Sequence, residues 1–241
     1  MKEPILIAHR GIFDNQVIPE NSLAAFQKAR DHHFPIELDV SLTKDCVLVV
    51  FHDKNLQRLC GVGKNIEDCT FSELENYFLL STKEHIPTLK EVLSLINGDV
   101  LIDIEIKRTK NVPLICQKIL ECIGNYSGAL IFKSFQISIV RYLKKHTSLT
   151  TGYLIGKKRY SLVTYFFSNA LLIRYTRADF LAVEKCFVRK ARFQKYRRRL
   201  PLFIWTLSSK EELLLYSSWA DAFLCNSLPY QFFLRINFFV E

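Results

Sequence analysis

The 241 residues of this chain suit one α/β barrel or two small domains, and 49% of them are hydrophobic, which is enough to bury one sizeable core. The longest apolar stretch, residues 162–173, is too short to span a bilayer, and the first apolar run ends too early for a signal peptide. Seven scattered cysteines without zinc-ligand spacing are typical of reduced thiols, so we expect a soluble, cytoplasmic protein.

Positive charge is concentrated in the second half of the chain. The formal net charge is +9 at pH 7, but residues 1–125 carry 14 Lys and Arg against 18 Asp and Glu, whereas residues 126–241 carry 19 against 6. Much of the excess lies in residues 189–199. This basic run could attract an anionic surface or form a solvated helix face, and the solvated face is the commoner case. We expect no nucleic-acid partner and at most a weak association of residues 189–199 with an anionic membrane surface.

Short apolar runs alternate with amphipathic stretches along the chain. The apolar runs predict nine strands, at residues 4–8, 36–40, 47–52, 100–107, 129–134, 151–155, 179–184, 202–207 and 222–226. The amphipathic stretches predict seven helices, at residues 22–31, 88–97, 112–123, 136–145, 161–174, 186–199 and 209–218. Thr88 is placed to cap the second of these helices. Strands that alternate with helices favour parallel β/α units.

The nine predicted strands are one more than an eight-stranded barrel needs. Only six residues separate the second strand from the third, too few for a crossover helix, so residues 47–52 should return as an antiparallel hairpin partner of residues 36–40. The other eight strands then predict an α/β fold, a single (β/α)8 TIM barrel with a hairpin after strand 2 and a small insertion at residues 53–87. No Pro-, Gly- or Ser-rich linker divides the chain, so we predict one domain over residues 1–241.

Carboxylates recur near the ends of the predicted barrel strands, where such barrels carry their active residues. Glu37 and Asp39 are two residues apart, so both point to the same face of their strand. Two carboxylates that face a barrel interior repel each other and lose hydration, and a divalent cation satisfies both. Glu105 lies on a later strand and alternates to one face with Lys107. Three carboxylates without cysteine favour Mg²⁺ or Ca²⁺ over Zn²⁺. The alternative is a surface hairpin with solvated acids and an ordinary Glu105–Lys107 pair.

Two histidines end predicted strands, His9 after the first apolar run and His52 after the third. A lone histidine at a strand end is usually only a hydrogen-bonded side chain. In the predicted hairpin, however, position 52 lies roughly opposite position 37, which would bring His52 to the paired acids. His9 would enter from the first strand, adjacent to the second. Two imidazoles beside a metal can act as base and acid near neutral pH.

Arg10 and Lys107 bring positive charge to the same strand ends. A guanidinium offers a planar fork that matches phosphate oxygens, and an ammonium offers a point charge. The chain has no G-x-S-x-G elbow, no phosphate loop ending in Gly-Lys-Ser/Thr and no G-x-G-x-x-G. A metal, two cations and two imidazoles therefore suit an anionic tetrahedral group better than an amide or a sugar.

Seven short motifs follow one another at compatible spacing: His9-Arg10-Gly11, Pro19-Glu20-Asn21-Ser22, Glu37-Leu38-Asp39-Val40, Thr43-Lys44-Asp45, Val49-Val50-Phe51-His52-Asp53, Ile86-Pro87-Thr88-Leu89 and Ile104-Glu105-Ile106-Lys107. In this order they resemble the glycerophosphodiester phosphodiesterases, closely over the first 107 residues. Beyond these the match thins to Ser134-Phe135, Trp205-Thr206 and residues 221–229. One departure is Cys46, which stands where the family usually has a glycine in the hairpin turn.

The resemblance implies a barrel, one divalent cation, and hydrolysis of glycerophosphodiesters to glycerol 3-phosphate and an alcohol. The residues that it implies are the acid–base pair His9 and His52, the metal ligands Glu37, Asp39 and Glu105, and the substrate-binding residues Arg10, Lys107, Glu20 and Trp205. In the mechanism proposed for such enzymes, the glycerol 2-hydroxyl attacks phosphorus while one histidine takes its proton and the other protonates the leaving alcohol. Water then opens the cyclic phosphate with the roles reversed.

Two alternatives stay open. One is a lysophospholipase D-like or phospholipase D-like enzyme with lipid substrates, which the basic, Phe-rich C-terminal half would suit. A catalytically silent barrel that binds phosphate esters is the alternative from a different class of function. The complete set of two histidines and three carboxylates argues against silence.

Overall fold

The computed structural model describes residues 4–157, 169–189 and 191–226. The strands are β1 (Ile5–His9), β2 (Ile36–Leu42), β3 (Leu48–Val50), β4 (Ile102–Ile106), β5 (Leu130–Ser134), β6 (Thr151–Ile155), β7 (Phe180–Glu184), β8 (Leu202–Leu207) and β9 (Ala222–Cys225). They form one sheet in the order β1-β9-β8-β7-β6-β5-β4-β2-β3, and a pairing of β1 with β2 closes it. Eight strands are parallel, and β3 is antiparallel to β2. The predicted (β/α)8 barrel is confirmed.

The described helices lie between the barrel strands and in the insertion. They are α1 (Leu23–Asp31), α2 (Gln57–Cys60), a 3₁₀ turn (Ile66–Asp68), α3 (Phe71–Leu74), α4 (Leu89–Ile96), α5 (Val112–Ile123), α6 (Ile137–His146), α7 (Asn169–Thr176), α8 (Lys185–Val188), α9 (Ala191–Arg197) and α10 (Lys210–Tyr216). Thr88 caps α4 in a capping box with Glu91, as predicted. Within the described ranges, no helix has the length and apolar character that a membrane crossing requires.

One predicted helix differs from the structure, and most of another lies outside the described residues. The continuous helix predicted over residues 186–199 is instead two short helices, α8 and α9. The Gln194 side chain of α9 donates a hydrogen bond to the carbonyl oxygen of Val188 at 2.8 Å, which satisfies the last residue of α8 where its helical bonds stop. Most of the other predicted helix, residues 161–174, lies outside the described residues, which resume at Asn169.

Side chains of the barrel strands alternate between the helix layer and the barrel interior, because successive residues of a strand point to opposite faces. Outward residues such as Leu38 and Ile104 are buried in one cluster with Phe26 of α1 and Leu89 of α4. The buried inward residues of β6 to β9, together with Ile7 of β1, form an apolar cluster: Ile7, Leu154, Phe180, Ala182, Phe203, Ala222 and Leu224. The inward positions of β2 and β4 are occupied instead by carboxylates.

The hairpin is present, but its register differs by one residue from the prediction. Val40 pairs with Val50, so position 52 falls opposite position 38 rather than 37, and β3 ends before His52. The turn decides this register. Thr43 donates its backbone N–H to the carbonyl oxygen of Val47 at 3.0 Å, which leaves a loop of three residues. The last of them, Cys46, takes a left-handed φ of 63°, the conformation that such loops require.

The insertion after the hairpin forms a small layer of its own. Its short helices and turns enclose an apolar cluster that contains Phe51, Leu56, Leu59, Leu74 and Ile86. Bridges between Asn55 and Asn65 and between Phe78 and His85 tie its loops together. The weak periodicity of this segment is therefore explained by helices of four residues or fewer. The insertion lies beside the barrel rim and brings Arg58 to it.

Candidate active site

A buried layer of charged side chains fills one sector of the barrel rim. Its members come from the inward positions of four neighbouring strands, β1, β2, β4 and β5. All are less than a tenth exposed: His9, Glu37, Asp39, Asp103, Glu105 and Lys133. Burial of so many charged groups in one place costs free energy unless they pair with one another or with a bound ligand.

Three of the buried carboxylates form a cluster that could hold a metal ion. Strand pairing places Asp39 beside Glu105, and Glu37, Asp39 and Glu105 each offer an oxygen within 4.8 Å of the others. Asp39 Oδ1 and Glu37 Oε1 each face a lysine ammonium, yet neither accepts a well-directed hydrogen bond within the described part of the chain. The Oδ1 atom of Asn21, whose amide binds Asp39, is also buried without a hydrogen bond there. Oxygen donors left in this condition fit a hard divalent cation.

Each of two lysines forms ion pairs with two of the four acids. Lys107 Nζ lies 2.6 Å from Asp39 Oδ1 and 2.7 Å from Glu105 Oε1. Lys133 Nζ lies 2.5 Å from Asp103 Oδ2 and 3.1 Å from Glu37 Oε1. Lys133 was missed at the sequence level, although a lysine in the middle of the apolar run of β5 was a signal that could have found it.

The acids of this layer differ in how readily they ionise. Burial raises the pKa of Asp103 to about 7, although its ion pair with Lys133 opposes the change. Burial also raises the pKa of Glu105, against the opposing charge of Lys107. Lys107 and Arg10 outweigh burial at Asp39 and hold the pKa of that carboxyl well below its usual range. Asp39 therefore ionises more readily than Glu105 and Asp103, because both Lys107 and Arg10 lie beside it.

A chain of charged contacts joins Arg10 to His52. Arg10 donates a hydrogen bond to Glu20 Oε1 at 2.7 Å. Arg58 donates two hydrogen bonds to the same carboxylate, at 2.7 and 3.0 Å. Arg58 also donates to Asp53 Oδ2 at 2.6 Å, and Asp53 Oδ1 lies 2.6 Å from His52 Nδ1. The hydrogen bonds from Arg58, with the charge of Arg10, outweigh burial and lower the pKa of Glu20 to about 2. Arg58 gave no signal in the sequence, because it lies in the weakly periodic insertion.

The two histidines are held in the same way. Asn226 Oδ1 lies 2.6 Å from His9 Nδ1, as Asp53 does from His52 Nδ1. An oxygen that accepts from Nδ1–H leaves Nε2 of each ring available for proton transfer. His9 Nε2 is 3.8 Å from Glu37 Oε2, and burial lowers the pKa of His9. Asn226 was not among the predicted residues, although it follows the last barrel strand on the inward side.

The backbone around Arg10 is folded tightly against α1. Gly11 has a φ of 81°, and a Cβ there would lie 2.8 Å from atoms of Ala25, so only glycine fits. Arg10 itself takes a φ of 60° and donates its backbone N–H to Glu37 Oε2 at 3.2 Å. Asn21 donates its backbone N–H to the Arg10 carbonyl oxygen and its amide to Asp39 Oδ2. The motif around Arg10 thereby aims a guanidinium at the acid cluster.

Trp205 lies on β8, across the barrel from β4. Its indole makes an edge-to-face contact with Phe135, with ring centroids 5.6 Å apart, and donates to the carbonyl oxygen of Ala182 at 3.2 Å. A side chain at Gly156 would collide with the Trp205 ring, so this glycine leaves room for it. Trp205 is half-buried and belongs to the apolar side of the barrel interior.

The charged layer opens into a groove of about 810 Å³. His52 and Lys107 are among the residues that line it. Its walls are the β2–β3 hairpin, the 3₁₀ turn of the insertion and the loop that leads into α5.

Comparison with known proteins agrees with this geometry. The model of the glycerophosphoryl diester phosphodiesterase family matches residues 9–225. A glycerophosphodiester phosphodiesterase of Caldanaerobacter subterraneus subsp. tengcongensis is 31% identical over 233 residues, with 87% of this chain and 88% of that protein covered. A lysophospholipase D of Rattus norvegicus is 36% identical over 133 residues, which covers 50% of this chain and 41% of that protein.

A solved structure is similar over nearly the whole length. The glycerophosphodiester phosphodiesterase of Thermotoga maritima superimposes with a TM-score of 0.79 at 30% identity, covering 98% of this chain and 99% of that one. The strand-end site agrees with all three comparisons, namely the family model, the related proteins and the solved structure. The chain therefore belongs to the glycerophosphoryl diester phosphodiesterase family of phosphoric diester hydrolases.

Proposed function

We propose that this enzyme hydrolyses glycerophosphodiesters to glycerol 3-phosphate and an alcohol, with His9 and His52 as its acid–base pair and one divalent cation. The observation that carries the proposal is the pair of imidazoles beside a buried carboxylate cluster, each with Nδ1 held by an oxygen. Such an arrangement leaves two Nε2 atoms free to move protons at a site built for an anion.

Arg10 and Lys107 would bind the phosphate oxygens of the diester. Glu20 orients the Arg10 guanidinium and keeps it charged, while Asp39 and Glu105 hold the Lys107 ammonium at the rim. Trp205 would pack against the substrate from the opposite side. These contacts position phosphorus between the two imidazoles, and a fixed position is itself a large part of catalysis.

The two histidines would then act in turn. One imidazole takes the proton of the glycerol 2-hydroxyl as its oxygen attacks phosphorus, and the other gives a proton to the leaving alcohol oxygen as the P–O bond breaks. The product of this first step is a cyclic phosphate. A water molecule opens the ring with the roles of His9 and His52 reversed, so that both regain their starting protonation.

Glu37, Asp39 and Glu105 would hold Mg²⁺ or Ca²⁺, which when bound supplies positive charge that polarises the phosphoryl group. Because burial raises the pKa of Glu105, protons compete with the cation, and its affinity should weaken as pH falls. A bound cation would also relieve the repulsion between the three carboxylates.

The test is release of glycerol 3-phosphate from glycerophosphodiesters before and after chelation. We expect chelation to abolish turnover and added Mg²⁺ or Ca²⁺ to restore it. The same cation should raise the melting temperature, since a ligand at 100 times its Kd stabilises the folded state by about 2.7 kcal/mol. Glu37→Gln should weaken both effects, while Glu121→Gln on the exposed face of α5 serves as the matched control. Full activity in excess chelator would refute the metal site.

Lipid substrates are the second candidate function. The partial match to a lysophospholipase D is what favours it, although that match covers only half of this chain. A lysophospholipid decides between the two when release of its alcohol is measured, because the other product is then lysophosphatidic acid. Turnover of the lipid at a rate equal to that of a soluble glycerophosphodiester would support the alternative. Release of glycerol 3-phosphate from any substrate would reject a silent barrel.

A weak membrane association through residues 189–199 is a further proposal. Part of this charge is used internally, because Arg197 lies 3.6 Å from Asp221 and donates to the backbone of the same loop. Lys195, Arg198 and Arg199 are exposed and could meet an anionic surface. Binding to anionic vesicles that disappears as salt rises would support this, and no binding at low salt would exclude it. The single domain over residues 1–241 and the cytoplasmic location stay predictions.

A further inference from the structure

The groove beside the site is rich in positive charge. Its walls carry five basic side chains, Lys44, Lys54, Lys107, Arg108 and Lys110, and two acidic ones, Asp53 and Glu67. They come from three separate parts of the chain, namely the β2–β3 hairpin, the start of the insertion and the β4–α5 loop. Folding alone brings these charges to one surface.

The acids of the groove are already engaged. Asp53 binds His52 and Arg58, and Glu67 lies 3.1 Å from Lys54. Lys107 is held by the carboxylates of the acid cluster. Three cations remain that are exposed and have no carboxylate within ion-pair distance among the residues described: Lys44, Arg108 and Lys110. The outer part of the groove therefore has a net positive charge.

The position of the groove indicates which part of a diester it meets. His52 and Lys107, which lie next to the place proposed for phosphorus, line it together with the exposed Lys44, Arg108 and Lys110. Its volume of about 810 Å³ lies in the range of sites that enclose a drug-sized ligand and is far larger than a three-carbon glycerol needs. The groove therefore suits the variable alcohol half of the substrate.

We propose that this groove binds the alcohol half of the diester and selects alcohols that carry a second anionic group, such as a phosphate, through Lys44, Arg108 and Lys110. The inference rests on the proposed function and names its substrate class. A cationic alcohol such as choline would be disfavoured in the same groove, because it would meet three like charges without a free carboxylate.

Three substrates for the metal-loaded enzyme test the inference. They are glycerophosphocholine, glycerophosphoinositol and glycerophosphoinositol 4-phosphate, of which the last two differ only in one phosphate on the alcohol. We expect kcat/KM for glycerol 3-phosphate release to be about tenfold higher for the phosphorylated inositol diester, and lowest for the choline diester. Since exposed ion pairs are individually weak and screened, the preference should fall steeply between low salt and about 0.5 M salt.

Variants of the three cations connect the preference to this groove. Lys44→Ala, Arg108→Ala and Lys110→Ala should each lower the ratio of kcat/KM between the two inositol diesters by about twofold. Lys110→Glu should lower it further and should improve the choline diester relative to the others. Lys90→Ala, at an exposed position on α4 away from the groove, is the matched control and should leave the ratio unchanged.

Different outcomes would contradict the proposed selectivity of the groove and the proposed hydrolysis of glycerophosphodiesters. Equal kcat/KM for the two inositol diesters, or a preference that survives Lys110→Glu, would overturn the inference while glycerophosphodiester hydrolysis stands. Absence of glycerol 3-phosphate from all three diesters, with the metal bound, would overturn the proposed function and the inference with it.

Discussion

One side of the barrel interior is lined by apolar side chains and the other by charged side chains. On β6 to β9 the buried inward side chains are apolar, and Phe180 stacks on Phe203 with ring centroids 4.5 Å apart. On β2, β4 and β5 the same inward positions carry four carboxylates and Lys133. Apolar burial stabilises a fold directly, whereas buried ion pairs roughly break even against their desolvation. The charged side therefore serves ligand binding, whereas the apolar side provides the stability of the barrel.

The largest expected effect is on the charged side. His9→Ala and His52→Ala should each lower kcat by roughly 10²–10⁴-fold while the melting temperature changes little, because a general acid or base contributes about this much. The double variant should be little worse than either single one, since groups that act as a unit are not additive. Steady-state kinetics with glycerophosphodiesters and circular dichroism provide both measurements.

His146→Ala is the control for the histidine pair. His146 lies at the exposed end of α6, where its Nδ1 contacts the carbonyl oxygen of Tyr142 and its ring packs against the Tyr142 ring. Its replacement should leave kcat unchanged. Near-normal turnover in His52→Ala would break the two-histidine assignment.

Substitutions on the apolar side should change the stability of the protein instead of its activity. Phe180→Ala removes the ring that stacks on Phe203 and covers Gly152, so it should cost about 3–5 kcal/mol in the free energy of unfolding. Urea denaturation measures this cost, and Leu214→Ala, at a position 65% exposed, should stay within about 0.5 kcal/mol. A loss of metal binding in folded Phe180→Ala would contradict the division between the two sides.

Glu20 tests the link between charge and stability at the rim. Because its pKa is lowered from 4.5 to about 2, its ionised form stabilises the fold by about 3 kcal/mol above pH 4.5, and this contribution is lost as pH falls from 4.5 to about 2. Glu20→Gln should therefore be less stable than the natural protein at pH 6, with a smaller difference at pH 3.

Urea denaturation of both proteins across this pH range measures the difference. Glu75→Gln, which alters an exposed carboxylate, is the matched control and should be close to the natural protein throughout. A stability difference for Glu20→Gln that is constant between pH 6 and pH 3 would show that its charge is not what stabilises the rim.

The smallest effect is expected at the hairpin turn. Cys46 adopts a left-handed φ of 63°, which costs a residue with a side chain about 1 kcal/mol. Cys46→Gly should therefore raise the free energy of unfolding by up to about 1 kcal/mol, without a change in kcat. Asn97→Gly is the control, since Asn97 has a φ of 48° but asparagine tolerates this region and should gain less. A destabilised Cys46→Gly would mean that the thiol packs favourably in the turn.

Much of the fold and part of the site follow from the sequence alone. Alternation of strands and helices predicts the barrel, and the two-residue period of a strand places Glu37 with Asp39 and Asp103 with Glu105 on the inward face. The cap of α4 by Thr88 is equally local, because it needs only a residue three positions further along the helix. These features depend on neighbours in the chain, so a single sequence is enough to predict them.

Other features depend on the closure of the barrel and the position of the insertion. His9 meets Asn226 across 217 positions of sequence, and Glu20 meets Arg58 across 38. The hairpin register was one residue from the prediction, because the turn at Cys46, and not the apolar pattern, decides it. Side chains that come from different strands and loops meet only once strand order and register are set. The sequence by itself therefore determined which strands carry the chemistry, and the tertiary structure decided which partners orient it.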